Sequence, residues 1–238
     1  MLGTVLVQPA LRHAASLLWT ELQSERLTPS SFCARLNEIP AAERDRWLDV
    51  LWDVSENPAG APALPQGCVP YLPCPFSIVL EAVQRASVTP DDVFIDVGSG
   101  TGRTTFLAKL LTGAECIGLE IQPALVEAAR ARSKQLNLAR MHFVEGDAAE
   151  HIRSVAIGTV FFLYCPFDLQ RMNRVLDDLG AIARTRQIRI CCVHMPLIER
   201  PWLVRLPSTS VELDIYRSSL PHEPDPAARV SDSDSTPS

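Results

Sequence analysis

The chain has 238 residues, of which 47% are hydrophobic and 21% are charged, a composition typical of a globular protein with one substantial core. Its net charge of -6 leaves no overall positive charge for a phosphate backbone, so nucleic acid is not an expected partner. No apolar stretch approaches the roughly 20 residues that span a bilayer, and residues 1–10 lack the basic leader of a signal peptide. The expected location is therefore cytoplasmic, with no membrane partner. The seven cysteines form no paired C-x-x-C units, which favours free thiols over disulfides or a metal site.

The N-terminal segment, residues 1–57, is predicted to form a helical cap. Residues 11–22 and 41–54 have helix-compatible patterns, with a weaker segment at 31–37 between them. Three of the four tryptophans of the chain lie here and provide large surfaces for packing. Two interpretations stay open: the cap covers the domain that follows, or it is a platform for a substrate or partner.

Residues 58–75 contain six prolines and are predicted to form an extended linker rather than a helix. A helix is expected at residues 76–86, where the main domain, residues 76–219, begins. The last segment, residues 220–238, is rich in Pro, Ser and Asp and is predicted to be a disordered acidic tail.

A glycine loop stands at the centre of the chain, where residues 93–102 read Val-Phe-Ile-Asp-Val-Gly-Ser-Gly-Thr-Gly. The apolar run predicts a buried strand, and Gly98, Gly100 and Gly102 then form the pattern G-x-G-x-G. These glycines can take positive φ and let a ligand approach the backbone. After a helical stretch, a second apolar run ends at Glu120, whose carboxylate can accept hydrogen bonds from both hydroxyls of a ribose. This order of elements predicts a nucleotide-cofactor site.

The segments that follow alternate between helical and strand patterns. A helix is predicted at 122–137, strands at 141–144, 159–164 and 188–193, a helix after Asp168, and an antiparallel ribbon from 202–206 and 211–216. Such alternation, with right-handed crossovers, predicts an α/β fold with a doubly wound, mostly parallel seven-stranded sheet.

The G-x-G-x-G loop, with Asp96 two residues before it and Glu120 after it, resembles the class I S-adenosylmethionine (SAM) dependent methyltransferases. Dinucleotide enzymes favour G-x-G-x-x-G instead. The resemblance covers about residues 70–218 and implies SAM as the cofactor. The cofactor-binding residues that it implies are Asp96, Gly98, Ser99, Gly100, Thr101, Gly102, Glu120, Ile121, Asp147 and Ala148. In this family an acidic residue after the third strand accepts a hydrogen bond from the adenine amino group, and Asp147 has that position. Asp147 also fits a helix N-cap with Glu150 three residues later, and both roles can hold together.

The tetrapeptide after the predicted fourth strand, Tyr164-Cys165-Pro166-Phe167, aligns with the acceptor-side tetrapeptide of the family, which is often Asn-Pro-Pro-Tyr. Tyr164 replaces the amide or carboxylate that binds a planar amino group, so methylation of adenine or glutamine is not expected. Tyr164 and Phe167 are the catalytic candidates, because a hydroxyl, carbonyl groups and an aromatic ring can surround an alkylammonium. The alternative is that both side chains only pack. His194, after the fifth predicted strand, is either a base or a structural residue.

The segment Val69-Pro70-Tyr71-Leu72-Pro73 resembles the approach to the cofactor in compact class I protein-lysine methyltransferases, including the non-SET histone type and the mitochondrial ATP-synthase-subunit type. There a tyrosine-proline stretch passes over the cofactor, so Tyr71 is a further candidate for the cofactor site, although its ring can also simply pack. The resemblance implies N-methylation of a protein lysine. Two alternatives stay open: a small-molecule N- or O-methyltransferase, and a non-catalytic SAM-binding scaffold that acts through the cap.

Overall fold

The computed structural model describes residues 9–24, 27–53, 58, 64–164 and 166–219. The predicted tail at 220–238 lies outside the described residues, as do residues 59–63 of the predicted linker. The helices of the described part are α1 (Pro9–Gln23), α2 (Pro29–Glu38), α3 (Arg44–Leu51), α4 (Phe76–Arg85), α5 (Arg103–Thr112), α6 (Pro123–Gln135), α7 (Ala148–His151) and α8 (Leu169–Ala183). The strands are β1 (Val93–Val97), β2 (Glu115–Glu120), β3 (Met141–Glu145), β4 (Val160–Tyr164), β5 (Arg189–Val193), β6 (Leu203–Arg205) and β7 (Leu213–Ser218).

All these strands form one seven-stranded sheet in the order β3-β2-β1-β4-β5-β7-β6. β1 to β5 are parallel, whereas β7 runs antiparallel to β5 and pairs with β6 at the edge. The predicted doubly wound α/β fold is therefore confirmed, including its closing antiparallel ribbon. The chain order reverses between β1 and β4, and a crevice at the carboxyl ends of the strands is expected at such a point.

The central strands are buried on both faces, as the apolar run in β4 illustrates. Phe161 and Leu163 pack into the core on one face of the sheet, while Val160 and Phe162 belong to the core on the other face. Since neighbouring side chains of a strand point to opposite faces, a continuous apolar run suits a sheet that helices cover on both sides.

The N-terminal helices pack directly against the glycine loop that precedes α5. The Trp52 ring stacks on Phe106 of α5 with centroids 4.2 Å apart, and its Nε1 donates to the Thr101 carbonyl oxygen at 2.9 Å. Arg103, the first residue of α5, forms ion pairs with Asp45 and Asp49 of α3 at 2.7 Å each. These contacts hold the segment against the main domain, and its use as a partner platform stays a prediction.

Two details of the N-terminal helices differ from the sequence prediction. The weak segment at 31–37 is a full helix, α2, because Thr28 and Ser31 form a reciprocal capping box and Pro29 occupies the first turn. The segment predicted as one helix at 41–54 is a 3₁₀ turn followed by α3, which ends before Asp53, where φ is +50°. In the described residues, no helix is both long and apolar enough to cross a membrane.

Candidate functional site

A cavity of about 200 Å³ that is partly open to solvent lies at the carboxyl ends of β1, β2 and β4. The residues that line it include Tyr71, Gly98, Glu120, Asp147, Tyr164 and His194. A cavity at this point of an open α/β sheet, with a few convergent polar groups, is the expected position of a ligand site.

The glycine loop is held in a conformation that a larger residue could not adopt at Gly100. Its φ is +56°, and a Cβ built there would lie 2.1 Å from the Tyr71 ring. The Gly100 amide donates to Oε2 of Glu120 at 2.8 Å. Tyr71 therefore lies over the loop, while Glu120 holds the loop from the neighbouring strand. The predicted contact of Tyr71 with the cofactor stays a prediction.

Glu120 ends β2 and is buried with its carboxylate at the cavity wall. One oxygen accepts the Gly100 amide, and the other accepts the Gln122 amide at 2.9 Å. An ionised carboxylate has about four acceptor positions, so each oxygen keeps one for a further donor. These two acceptor positions fit the two hydroxyls of a ribose. Ile121 and Ala148, both predicted to bind the cofactor, also line the cavity.

Other predicted cofactor residues lie beneath the loop rather than at the cavity wall. Asp96 is buried and accepts a hydrogen bond from the Thr105 hydroxyl at 2.7 Å. Burial raises its pKa to about 7, the Thr105 hydrogen bonds oppose the rise, and the charge of Glu120 adds to it. The Ser99 hydroxyl packs against Gly118 of β2, and Thr101 lies 3.4 Å from the Tyr71 hydroxyl. Their direct contact with a cofactor, like that of Gly102, stays a prediction.

Asp147 lines the cavity after β3 and is also the N-cap of α7, accepting the Ala149 amide at 3.0 Å. The N-cap interpretation is thus confirmed, and the adenine role stays a prediction. The structure adds a partner that sequence reasoning missed: Nη1 of Arg171 donates to both carboxylate oxygens of Asp147 at 2.7 and 2.6 Å. Nothing in the spacing of these residues indicates the contact, since α7 and α8 meet only in the folded chain.

The approach segment, residues 64–75, is tied to the tetrapeptide after β4. The Val69 amide donates to the Pro166 carbonyl at 3.1 Å, and the Asp168 amide donates to the Gly67 carbonyl at 2.7 Å. Cys68 and Phe167 form an isolated antiparallel bridge. This pairing holds Tyr71 above the glycine loop and links the approach segment to the tetrapeptide after β4, both of which line the cavity.

Tyr164 and Phe167 both line the cavity, as the prediction requires for acceptor-side residues, although Phe167 is largely buried in the core as well. Cys165 lies outside the described residues. His194 follows β5 with an unusual φ of +57°, and its ring centroid is 6.0 Å from that of Tyr164. Its Nε2 lies 3.9 Å from Glu212. The structure thus brings His194 into the site beside Tyr164.

Comparison with known proteins agrees with this geometry. A family model described as a methyltransferase domain matches residues 89–188. A protein-lysine N-methyltransferase from Saccharolobus islandicus (strain REY15A) is 31% identical over 98 residues, which are 40% of this chain and 61% of that protein. The match thus spans less than two thirds of this relative's length.

One solved structure supports the same fold. TrmN from Thermus thermophilus aligns with 62% of this chain and 49% of its own at 13% identity and a TM-score of 0.50, a likeness of fold alone. An RNA methyltransferase from Salinibacter ruber, solved in complex with S-adenosyl-L-homocysteine, is 27% identical over 65% of this chain and 97% of its own, with a TM-score of 0.49. With the matched family model, the seven-stranded sheet and the glycine loop joined to Glu120, residues 89–188 are similar to a class I SAM-dependent methyltransferase domain, a family whose cofactor is SAM.

Proposed function

We propose that the protein is an active SAM-dependent methyltransferase whose acceptor is the side-chain amine of a protein lysine. One observation carries the proposal: a single cavity extends across the carboxyl ends of the strands. Glu120 and Asp147 follow β2 and β3 on one side of it, and Tyr164 and His194 stand at the ends of β4 and β5 on the other. A cofactor and an acceptor can therefore meet in the same space.

The chemistry needs positioning more than a covalent intermediate. When bound, SAM supplies a methyl group already activated on a sulfonium. The residues of this chain then have to bind the cofactor, hold the acceptor atom in line with the methyl group and exclude water. Glu120 offers acceptor positions for the ribose, and the Tyr71 ring covers the loop at Gly100. Both features serve the cofactor side.

The residues on the other side of the cavity would bind the acceptor. An amine attacks only after its ammonium form has lost a proton, and a site with little water favours the neutral form. The aromatic ring and hydroxyl of Tyr164 suit an alkylammonium better than a planar amide, as does the neighbouring ring of Phe167. His194 is partly exposed, which fits an acceptor site that a side chain enters from solvent. The Saccharolobus relative, a protein-lysine N-methyltransferase, supports the same acceptor class over the 98 residues that it shares with this chain.

The first test is calorimetric titration of the purified protein with SAM and with S-adenosylhomocysteine, alongside a Gly100→Arg variant. A side chain at Gly100 collides with Tyr71, so the variant is expected to lose binding while its main fold is retained. The second test is transfer of a labelled methyl group from SAM to a protein extract. A matched extract, with its lysine amines acetylated beforehand, is the control for the acceptor atom.

The outcomes separate the candidate functions. Label that is recovered as methyllysine and disappears with the acetylated extract supports the proposal. Label in the small-molecule fraction would instead indicate a small-molecule methyltransferase. Binding of SAM without any transfer would indicate the scaffold alternative, and a folded protein that binds neither ligand would refute the enzymatic role altogether.

A further inference from the structure

We propose that Arg171 sets the base selectivity of the cofactor site, because it holds Asp147 so that one acceptor position remains for the 6-amino group of a purine. The inference rests on the proposed function, since it concerns the site in which SAM would bind. Arg171 does not line the cavity itself, so it acts through Asp147 and is a positioning residue.

The hydrogen bonds of Asp147 can be counted. Oδ1 accepts the Ala149 amide at 3.0 Å and Nη1 of Arg171 at 2.7 Å, whereas Oδ2 accepts only Nη1 of Arg171 at 2.6 Å within the described chain. A carboxylate has about four acceptor positions, and these bonds use three of them. The position left over is on Oδ2, on a side chain that lines the cavity.

This remaining position discriminates between purines. An ionised carboxylate accepts hydrogen bonds and donates none. It matches the 6-amino group of adenine, which is a donor, and it repels the 6-oxo group of hypoxanthine, which is an acceptor. A site built around a hydrogen bond rejects an analogue that leaves the buried group without its partner.

Arg171 is well placed to hold Asp147 because it joins separate parts of the chain. Its side chain and that of Asp147 are each only 15% exposed. Nε of Arg171 donates to the Gln66 carbonyl of the approach segment at 2.7 Å, and its backbone amide donates to Oδ1 of Asp168, the N-cap of α8, at 2.9 Å. The guanidinium is thus fixed from two directions while Nη1 contacts both oxygens of Asp147. The hydrogen bond with Asp147 also raises the pKa of Arg171, so the positive charge is permanent.

Without Arg171, the carboxylate of Asp147 keeps only the Ala149 amide as a hydrogen-bond partner among the described residues. Its second oxygen can then rotate or be hydrated. The single acceptor position at the cavity would no longer be oriented, and discrimination between the 6-amino and 6-oxo groups should fall. A lysine would keep the charge but cannot contact both Asp147 and Gln66 through separate nitrogens, so it should restore selectivity only in part.

The test compares the calorimetric affinities of S-adenosylhomocysteine and of its deaminated analogue, S-inosylhomocysteine. Wild-type protein is expected to prefer the adenosyl ligand by more than about tenfold, and Arg171→Gln should reduce that ratio by about tenfold. Asp147→Asn should reduce the ratio of the two affinities as well, because its side-chain amide can donate a hydrogen bond to a 6-oxo group. The matched control is Arg153→Gln, which removes the 2.7 Å ion pair of Arg153 with Asp178 of α8, where the Arg153 side chain is 66% exposed. It should leave the ratio unchanged.

A merely structural role for Arg171 would lower the melting temperature and weaken both ligands equally. The inference is therefore overturned if folded Arg171→Gln keeps the wild-type ratio, and in that case the proposed function stands. If Arg171→Gln does not fold, Arg171→Lys is measured instead, and an unchanged ratio of the two ligand affinities in that variant overturns the inference. If wild-type protein binds neither ligand, the cofactor site itself fails, and the inference fails with it.

Discussion

Replacing Arg103 with methionine is expected to loosen the attachment of the N-terminal helices to the glycine loop and to destabilise the protein substantially. The Arg103 side chain is 4% exposed and forms ion pairs with Asp45 and Asp49 at 2.7 Å each. It also donates to the backbone carbonyl of Cys74 in the approach segment. Methionine fills a similar volume, so the variant removes the charge and the hydrogen bonds while most of the packing is kept.

The size of the effect follows from the unequal burial of the partners. Breaking a buried ion pair costs about 3–5 kcal/mol when the remaining charge stays buried. Here the carboxylates left behind are partly accessible, because the side chains of Asp45 and Asp49 are 50% and 40% exposed and can be rehydrated. The loss should therefore lie below that range, at about 2 kcal/mol in the free energy of unfolding.

The assay is urea unfolding at equilibrium, followed by circular dichroism at constant pH, with the midpoint and slope compared between variants. Arg35→Met is the matched control, since the pair of Arg35 with Glu21 has the same 2.7 Å distance but side chains that are 45% and 32% exposed. A surface pair of this kind contributes about 1 kcal/mol or less. If Arg103→Met costs no more than the control, the cap is not held by this contact and the reasoning is refuted.

Three further changes test other parts of the site. Gly100→Ala places a Cβ 2.1 Å from the Tyr71 ring at a positive φ, so the affinity for SAM should fall at least about tenfold and recover in part when Tyr71→Ala is added, as calorimetry would show. Burial raises the pKa of Asp96 to about 7, so the folded state binds this proton more tightly than the unfolded chain does, and its contribution to stability is lost as the pH rises from about 4 to 7. Asp96→Asn can still accept a hydrogen bond from the Thr105 hydroxyl, and it should remove up to about 1.4 kcal/mol per pH unit of this pH dependence of stability. If the melting temperature of the variant changes between pH 5.5 and 7.5 as much as that of wild type does, the prediction is wrong. His194→Gly should raise stability by about 1 kcal/mol, because glycine adopts a φ of +57° without strain, and a lower melting temperature would mean that the contacts of the ring outweigh the strain.

Much of the fold could be predicted from the sequence because its signals are local. The apolar run at residues 93–97, the positive-φ glycines that follow and the helical spacing after them each lie within one stretch of chain. The same is true of Gly113, which caps α5 in the left-handed conformation, and of Asp168, the N-cap of α8. Glu120 could be placed at the end of β2 because the apolar run that forms the strand stops there.

Partners from distant parts of the chain could not be predicted in this way. The contact between Arg171 and Asp147, the pairing of Arg103 with α3 and the position of His194 beside Tyr164 all join segments that only the packed sheet brings together. The hydrophobic periodicity of an element indicates which of its faces is buried. It does not indicate which charged side chains of two different elements form an ion pair.

The sequence by itself therefore determined the class of fold and the cofactor loop, since the alternation of strands and helices along the chain, the glycine conformations and the helix caps depend on neighbouring residues. Only the tertiary structure decided which predicted residues face the cavity. It placed Glu120 and Asp147 at its wall and Asp96 beneath the loop, because the direction of a side chain near a strand end depends on the elements packed against it. It also decided that Asp147 is shared between a helix cap and Arg171, a contact on which the selectivity of the site is proposed to depend.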